Sequence, residues 1–259
     1  MEKRIRFALD KSASPTTREG RYGILEGDLI YETPSLFSSE RIATHALANV
    51  RLLPPCNPSK IVCVGRNYAA HAKEMGNAIP SEPVIFLKPP SSLVASGDPI
   101  VYPVISEMVS YEGELGVVIS KRARHVKAAE AEKYIFGYTC VNDVTARDLQ
   151  RRDDQWARCK GFDTFCPVGP WIVPRAEVDF EKLRVKTFVD GEKKQDASVL
   201  DMIFPVPVII EFITQFMTLE PEDLIATGTP PGVGAMLPGS TVRVALDGIG
   251  ALENPLIRE

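Results

Sequence analysis

Apolar residues in this chain recur mainly at every second position or in short solid runs, which is the signature of strands; helical spacing is rare. Residues 3–32 read as three short strands, RIRFAL, RYGILEG and DLIYE. The turn signal Glu26-Gly27-Asp28 between the last two predicts a hairpin. Residues 38–50 read as a short helix. The three prolines of LLPPCNPSK mark a linker, so a boundary is placed near residue 56. This divides the chain into a small β-rich N-terminal domain, 1–56, and a larger domain, 57–259.

The larger domain opens with a strand, Lys60 to Val64, broken at Gly65. Tyr68 to Met75 reads as a helix stopped at Gly76, followed by the polar loop NAIPSEP. PVIFLKP, ISEMVSYEGELGVVIS and IFGYTCVND follow as strands, with a short helix over Lys127 to Tyr134 between the last two. Thr145 and Asp148 have the spacing of a capping box, which predicts one helix over ARDLQRRDDQWA. LRVKTFVDGEKKQDA is a hairpin turning at Asp190-Gly191. Phe204 to Met217 carries the apolar stripe of a helix, and TVRVALDGIGALENPL is strand-like again. Strands outnumber helices and do not alternate with them. A mainly β, α+β architecture is expected, not a doubly wound sheet or a TIM barrel.

Within this pattern, Glu112 and Glu114 sit one residue apart at the start of an apolar run, so their carboxylates share a face. Asp143, at the end of TCVND, is a third acid able to join them. Three oxygen ligands suit a hard cation such as Mg²⁺ or Mn²⁺. The competing reading makes the glutamates solvent-facing strand residues and Asp143 a helix cap. His71 and Glu74 stand three apart on the expected helix, close enough to hydrogen-bond, either as an oriented general base or as a surface pair. Arg147, Arg151, Arg152, Arg158 and Lys160 cluster after Asp143, with Gln150 and Gln155 among them. They could hold an anionic substrate, or form a solvated face paired with Asp148, Asp153 and Asp154. Lys88, at a strand end, has the same two readings. TGTPPGVG, Thr227 to Gly234, could grip a carboxylate through its backbone N–H groups and the Thr229 hydroxyl, or serve only as a turn.

Composition narrows the field. The chain has 259 residues, 44% hydrophobic and 25% charged, with a net charge of -4. That is an ordinary globular balance, and it disfavours nucleic acid as a partner. Five cysteines without a CxxC pair point to a reducing compartment and away from zinc. The opening Met-Glu-Lys-Arg-Ile-Arg is not an apolar leader, and no apolar run is long enough to span a bilayer. A cytoplasmic protein without membrane contact is expected. There is no G-x-S-x-G elbow and no phosphate-loop lysine, and Cys159 and Cys166 have no nucleophile surround.

IVCVGRNYAAHAKEMG, PVIFLKP, YEGELGVVI, VNDVTARDLQ, KGFDTFCPVGPW and TGTPPGVG, in this order over residues 57–257, resemble the fumarylacetoacetate hydrolase family. The resemblance implies a mixed β-roll, a homodimer, and Mg²⁺ or Mn²⁺ held by Glu112, Glu114 and Asp143. It implies a lid carrying the catalytic pair His71 and Glu74, with Lys160 as a further catalytic group. Substrate contacts are expected from Arg66, Tyr68, Lys88, Arg147, Gln150 and Thr229, and pocket walls from Ile79, Phe162, Phe165 and Trp171. The implied reaction is hydrolysis of a C–C bond in an acylpyruvate-type 2,4-dioxo acid such as fumarylpyruvate, with oxaloacetate decarboxylation possible at the same site. The alternatives are isomerisation of 2-hydroxyhepta-2,4-diene-1,7-dioate in aromatic catabolism and, outside enzymes, a dicarboxylate-binding protein.

Overall fold

A computed structural model describes residues 1–259 except Arg18 and Asn77; the first residue of the NAIPSEP loop therefore lies outside the described residues. The fold is mainly β with short helices, as the alternation demands. One twelve-stranded sheet runs through the molecule, and five-stranded and three-stranded sheets pack around it. No described helix is long and apolar enough to cross a membrane.

The N-terminal strands Lys3–Ala8, Arg21–Glu26 and Leu29–Thr33 form an antiparallel ladder with the expected turn after Glu26. This ladder does not stand apart: Arg4 pairs with Ile172 of the strand Cys166–Pro174, so the first strand continues the large sheet. The helix expected over residues 38–50 is not formed. Ala43–Ala46 is a strand on the edge of Leu29–Thr33, followed by a single 3-10 turn, Leu47–Asn49. The open sheet edge offers those residues backbone partners that a short, weakly periodic helix could not match.

The strand Gly113–Ile119 is buried at every position and lies between Ile135–Asn142 and Leu224–Ala226. The single strand expected across ISEMVSYEGELGVVIS is in fact two. Val109–Tyr111 pairs with Thr145–Ala146 and Gly234–Ala235 in the three-stranded sheet, and the chain changes sheets at Glu112. That break aims Glu112 at the end of the neighbouring ladder instead of along it.

Two further expectations change. ARDLQRRDDQWA forms two helices, Arg147–Arg152 and Ala157–Lys160, with no helical residues between them. The capping box is absent as well: Ala146 is the N-cap without a side-chain bond. The Thr145 hydroxyl instead donates to the Asp143 carbonyl (2.9 Å), and Asp148 accepts from the Ser106 hydroxyl (2.7 Å). The hairpin Arg184–Val189 and Glu192–Ser198 turns at Asp190 and Gly191, both at positive φ as a tight hairpin turn requires. The helix Val206–Phe216 buries its apolar stripe on the main core.

Candidate active site

The register of two strands builds the site. Gly113 is paired with Asn142, and the Asp143 N–H donates to the Glu112 carbonyl (2.8 Å), which sets Asp143 beside Glu112 at the end of the ladder. Glu114 is the next residue inward on its strand. Oxygens of the three carboxylates lie within 4.8 Å of one another, and all three residues are buried.

Three cations answer them. Lys160 Nζ bridges Glu112 Oε2 (2.7 Å) and Asp143 Oδ2 (2.6 Å). Arg147 Nη2 donates to Glu112 Oε1 (2.5 Å), and Lys88 Nζ donates to Asp143 Oδ1 (2.7 Å). The split between the two short helices is what allows Arg147 and Lys160, thirteen residues apart in sequence, to reach the same glutamate. Glu114 has no cation in contact among the described residues; the Gly228 N–H donates to it (2.8 Å).

The electrostatics divide accordingly. Burial works against the charge of Glu112, but Lys160 and Arg147 outweigh it and hold the carboxyl well below its usual range. Burial, then the charges of Asp143 and Glu112, drive Glu114 well above its usual range. Burial opposes the Lys160 charge too, yet Asp143 and Glu112 keep its ammonium protonated and raise its pKa. A buried set of three hard oxygen donors, one of them short of positive charge, fits a divalent cation of the Mg²⁺ or Mn²⁺ type. Glu112, Glu114 and Asp143 would hold it.

Above the carboxylates lies a cavity of about 270 Å³. Its lining includes the three acids, Arg147, Gln150, Lys160 and Thr229, and it also reaches Arg66, His71 and Met75. Gln150 accepts from Arg147 Nη1 (2.7 Å), so these two act as one unit. The helix Ala69–Glu74 carries His71, whose Nδ1 lies 3.2 Å from Glu74 Oε2. A carboxylate can only accept, so Nδ1 is the donor of this bond, and Nε2 makes no hydrogen bond among the described residues. Glu74 is also bonded by the Gly232 N–H (3.0 Å).

The TGTPPGVG loop does grip carboxylates, but they are the protein's own: Gly228 holds Glu114 and Gly232 holds Glu74. The Thr229 hydroxyl lines the cavity while donating its proton to the Gly113 carbonyl (2.8 Å).

Several expected residues lie elsewhere. Lys88 does not line the cavity; it is fully buried and supports Asp143 together with the Val144 carbonyl. Tyr68, just before the helix Ala69–Glu74, packs in the main core and does not line the cavity, although its phenol feels the charge of Glu114. Phe162 and Phe165 meet at a tilt in the core cluster behind Trp156 and do not line the cavity. Trp171 donates to the Ile249 carbonyl (2.7 Å), away from the site, and Ile79 is 61% exposed beside an outer groove. Arg152 and Gln155 are exposed, and Arg158 pairs with Asp153, the solvated-face reading. Cys159 and Cys166 are buried, and burial raises both thiols; Cys166 reaches about 12.

The apolar wall is instead Phe86 and Trp156, whose rings meet edge to face at 5.1 Å, with Met75. Neither aromatic had a signal in spacing. Gln195 was also missed: it shares the inward face of the Glu192–Ser198 strand with Ala197, between exposed charged neighbours.

The family model for the fumarylacetoacetate (FAA) hydrolase C-terminal domain matches residues 60–257. The oxaloacetate tautomerase YisK of Bacillus subtilis is 42% identical over 225 residues, covering 82% of this chain and 75% of that protein. The crystal structure of a 2-hydroxyhepta-2,4-diene-1,7-dioate isomerase from Mycobacterium marinum superposes with a TM-score of 0.87. It is 42% identical, covering 100% of this chain and 99% of the other. A fumarylpyruvate hydrolase from Pseudomonas aeruginosa, in complex with Mn²⁺ and pyruvate, gives a TM-score of 0.75. It is 35% identical, covering 79% of this chain and 91% of that one.

Proposed function

We propose that this chain, which belongs to the fumarylacetoacetate hydrolase family, is a divalent-metal-dependent enzyme that forms and consumes the enolate of a small 2-oxo dicarboxylate, with oxaloacetate as its first candidate substrate. The observation that carries the reading is the placement of His71 over a cavity floored by the buried carboxylates Glu112, Glu114 and Asp143. When bound there, the metal supplies Lewis acidity that stabilises enolate charge on a chelating 2-oxo acid. The relative in Bacillus subtilis named for oxaloacetate tautomerisation supports the choice of substrate.

The protein's own groups account for the remaining requirements. Lys160 and Arg147 place positive charge at the enolate end of the cavity. Arg66 and Arg151 also line it, from positions nearer solvent, and neither has an ion pair among the described residues. They suit the second carboxylate of the substrate. Phe86 and Trp156 limit water on one side. The free Nε2 of His71 is placed to take a proton from the carbon beside the ketone, and Glu74 fixes the tautomer that makes this possible.

A second reading has its own support. The assembled His71–Glu74 pair can equally direct a water at the distal carbonyl of an acylpyruvate, giving C–C hydrolysis of a substrate such as fumarylpyruvate. The structural neighbour named as a fumarylpyruvate hydrolase favours it. Isomerisation of a dienoate needs only the proton transfer. The assembly expected from the family resemblance is a homodimer, checked by sedimentation.

The test is turnover of metal-stripped protein with Mn²⁺ or Mg²⁺ restored, against oxaloacetate, acetylpyruvate and fumarylpyruvate in parallel, following the enol absorbance. Metal-dependent oxaloacetate enol–keto exchange or CO₂ release supports the first reading. Cleavage of the acylpyruvates alone supports the second. Ligand-induced stabilisation with no turnover of any substrate, including the dienoate, would leave a dicarboxylate-binding protein.

A further inference from the structure

Between the two metal-site glutamates lies a residue with no side chain, Gly113, and both of its backbone polar groups are held by other residues. Its N–H donates to Gln195 Oε1 (3.1 Å), and its carbonyl accepts from the Thr229 hydroxyl (2.8 Å). Gln195 Nε2 donates in turn to Thr229 Oγ1 (2.8 Å) and to the Pro230 carbonyl (2.8 Å). The result is a closed ring, Gly113 to Gln195 to Thr229 and back to Gly113.

Every polar position of the Gln195 carboxamide is used, and its orientation is fixed. Turned over, it would face N–H to N–H at Gly113 and oxygen to oxygen at Pro230. The side chain is 1% exposed, on a strand whose other polar residues face solvent. A buried amide with every bond satisfied is costly to disturb, because its partners would be left unpaired.

The same hairpin touches the Thr227–Gly234 loop a second time. A Cβ on Gly232 would come within 2.1 Å of the Lys194 carbonyl, so the loop packs directly on the strand that carries Gln195. Tyr111, just before Glu112, donates its hydroxyl to the Gly232 carbonyl (2.7 Å). The Gly232 N–H is the group that holds Glu74. A Cβ on Gly113 would likewise lie 2.1 Å from Thr187 Oγ1, on the partner strand of the hairpin.

We propose that Gln195 is a positioning residue that ties the metal-ligand strand to the loop latching the lid, so that one carboxamide sets both the separation of Glu112 and Glu114 and the seat of Glu74. It touches neither metal nor substrate and acts through Gly113, Thr229 and Pro230. The catalytic consequence rests on the metal-dependent reading above. The lid consequence does not.

The experiment compares Gln195→Met, of similar length but unable to hydrogen-bond, with Asp196→Ala. Asp196 sits next along the same strand and pairs outward with Arg184 and Lys193. Mn²⁺ affinity is read by water-proton relaxation, and amide hydrogen exchange is followed by mass spectrometry. Gln195→Met is expected to weaken Mn²⁺ binding about tenfold, the usual effect of losing a residue that orients metal ligands. It is also expected to speed exchange selectively in residues 69–74 and 228–232, leaving the Val206–Phe216 helix at the wild-type rate. Asp196→Ala should change neither. If Gln195→Met does not fold, Gln195→Asn, which keeps an amide but is too short to span Gly113 and Pro230, carries the same two expectations.

Unchanged affinity together with unchanged lid exchange in a folded variant overturns the proposal. A rise in exchange spread evenly over the chain overturns it too, since that would mark a general packing role. If the wild type itself fails to bind Mn²⁺, the metal-dependent reading falls, and lid exchange still decides the role of Gln195.

Discussion

Glu74 is held from two sides: its carboxylate lies 3.2 Å from Nδ1 of His71 on its own helix, and the backbone N–H of Gly232, in the Thr227–Gly234 loop, donates to it from 3.0 Å. The acid that orients the imidazole is therefore also the latch of the helix that carries it. Glu74→Gln keeps an oxygen for Gly232 or for His71, but not a carboxylate for both. Turnover is expected to fall by about two orders of magnitude, the usual scale for disabling a general base. Mn²⁺ affinity should be unchanged, because Glu74 is not a ligand. Steady-state kinetics beside a metal titration checks this.

Gly232 has φ of +98° and no room for a Cβ against the Lys194 carbonyl. Gly232→Ala therefore combines backbone strain with a clash, a cost on the order of 1–3 kcal/mol. The expected result is a lower melting temperature together with protease sensitivity near residues 69–76, read by thermal denaturation and limited proteolysis. Wild-type resistance in that segment would show that Glu74 stays seated without this contact.

Lys160 stands between Glu112 and Asp143 with its ammonium buried. Replacing it by Met leaves two buried carboxylates facing each other with one cation each, from Arg147 and Lys88. Breaking a buried pair in this way costs about 3–5 kcal/mol. Metal-free Lys160→Met should melt well below the wild type. Added Mn²⁺ should raise its melting temperature more than it raises that of the wild type, because the ion compensates charges that the wild type has already neutralised in part.

The raised pKa of Glu114, caused first by burial and then by Asp143 and Glu112, gives a pH dependence with a definite sign. The folded, metal-free protein holds this proton more tightly than the unfolded chain does. The metal-free fold therefore loses stability as pH rises through the interval from the ordinary carboxyl value to the raised one. Metal binding displaces the proton, so Mn²⁺ affinity should strengthen with rising pH over the same interval. Glu114→Gln should abolish Mn²⁺ binding and flatten the stability profile of the apoprotein. Calorimetric titration and thermal melts from pH 5 to 8 read both.

How much of this was legible in the sequence depended on whether local order sufficed. Glu112 and Glu114 share a face because strand periodicity is local, and His71 and Glu74 meet because one helical turn brings them together. Hairpins at Gly27 and Gly191 were readable because a tight turn demands those residues. The capping box failed because Thr145 turned back to the nearby Asp143 carbonyl while Asp148 found a tertiary partner in Ser106, and together these outcompeted the capping pattern. The long strand over residues 105–120 failed at Glu112 because a change of sheet leaves no mark in alternation. Trp156 lines the cavity from 44 residues beyond Glu112, and Gln195 reaches Gly113 from 82 residues beyond it, and no spacing rule spans such separations.

The lining of the active-site cavity has a consequence for encounter. Four cationic side chains, Arg66, Arg147, Arg151 and Lys160, face three carboxylates there, whereas the chain as a whole carries a net charge of -4. The mouth is thus an electropositive spot on an electronegative body, before any metal adds to it. At long range the net charge disfavours a dianion, and close to the cavity Arg66 and Arg151 favour it. Capture would then be oriented as well as fast, and ionic strength would set its rate, since screening at physiological salt confines that attraction to about the last 8 Å of the path.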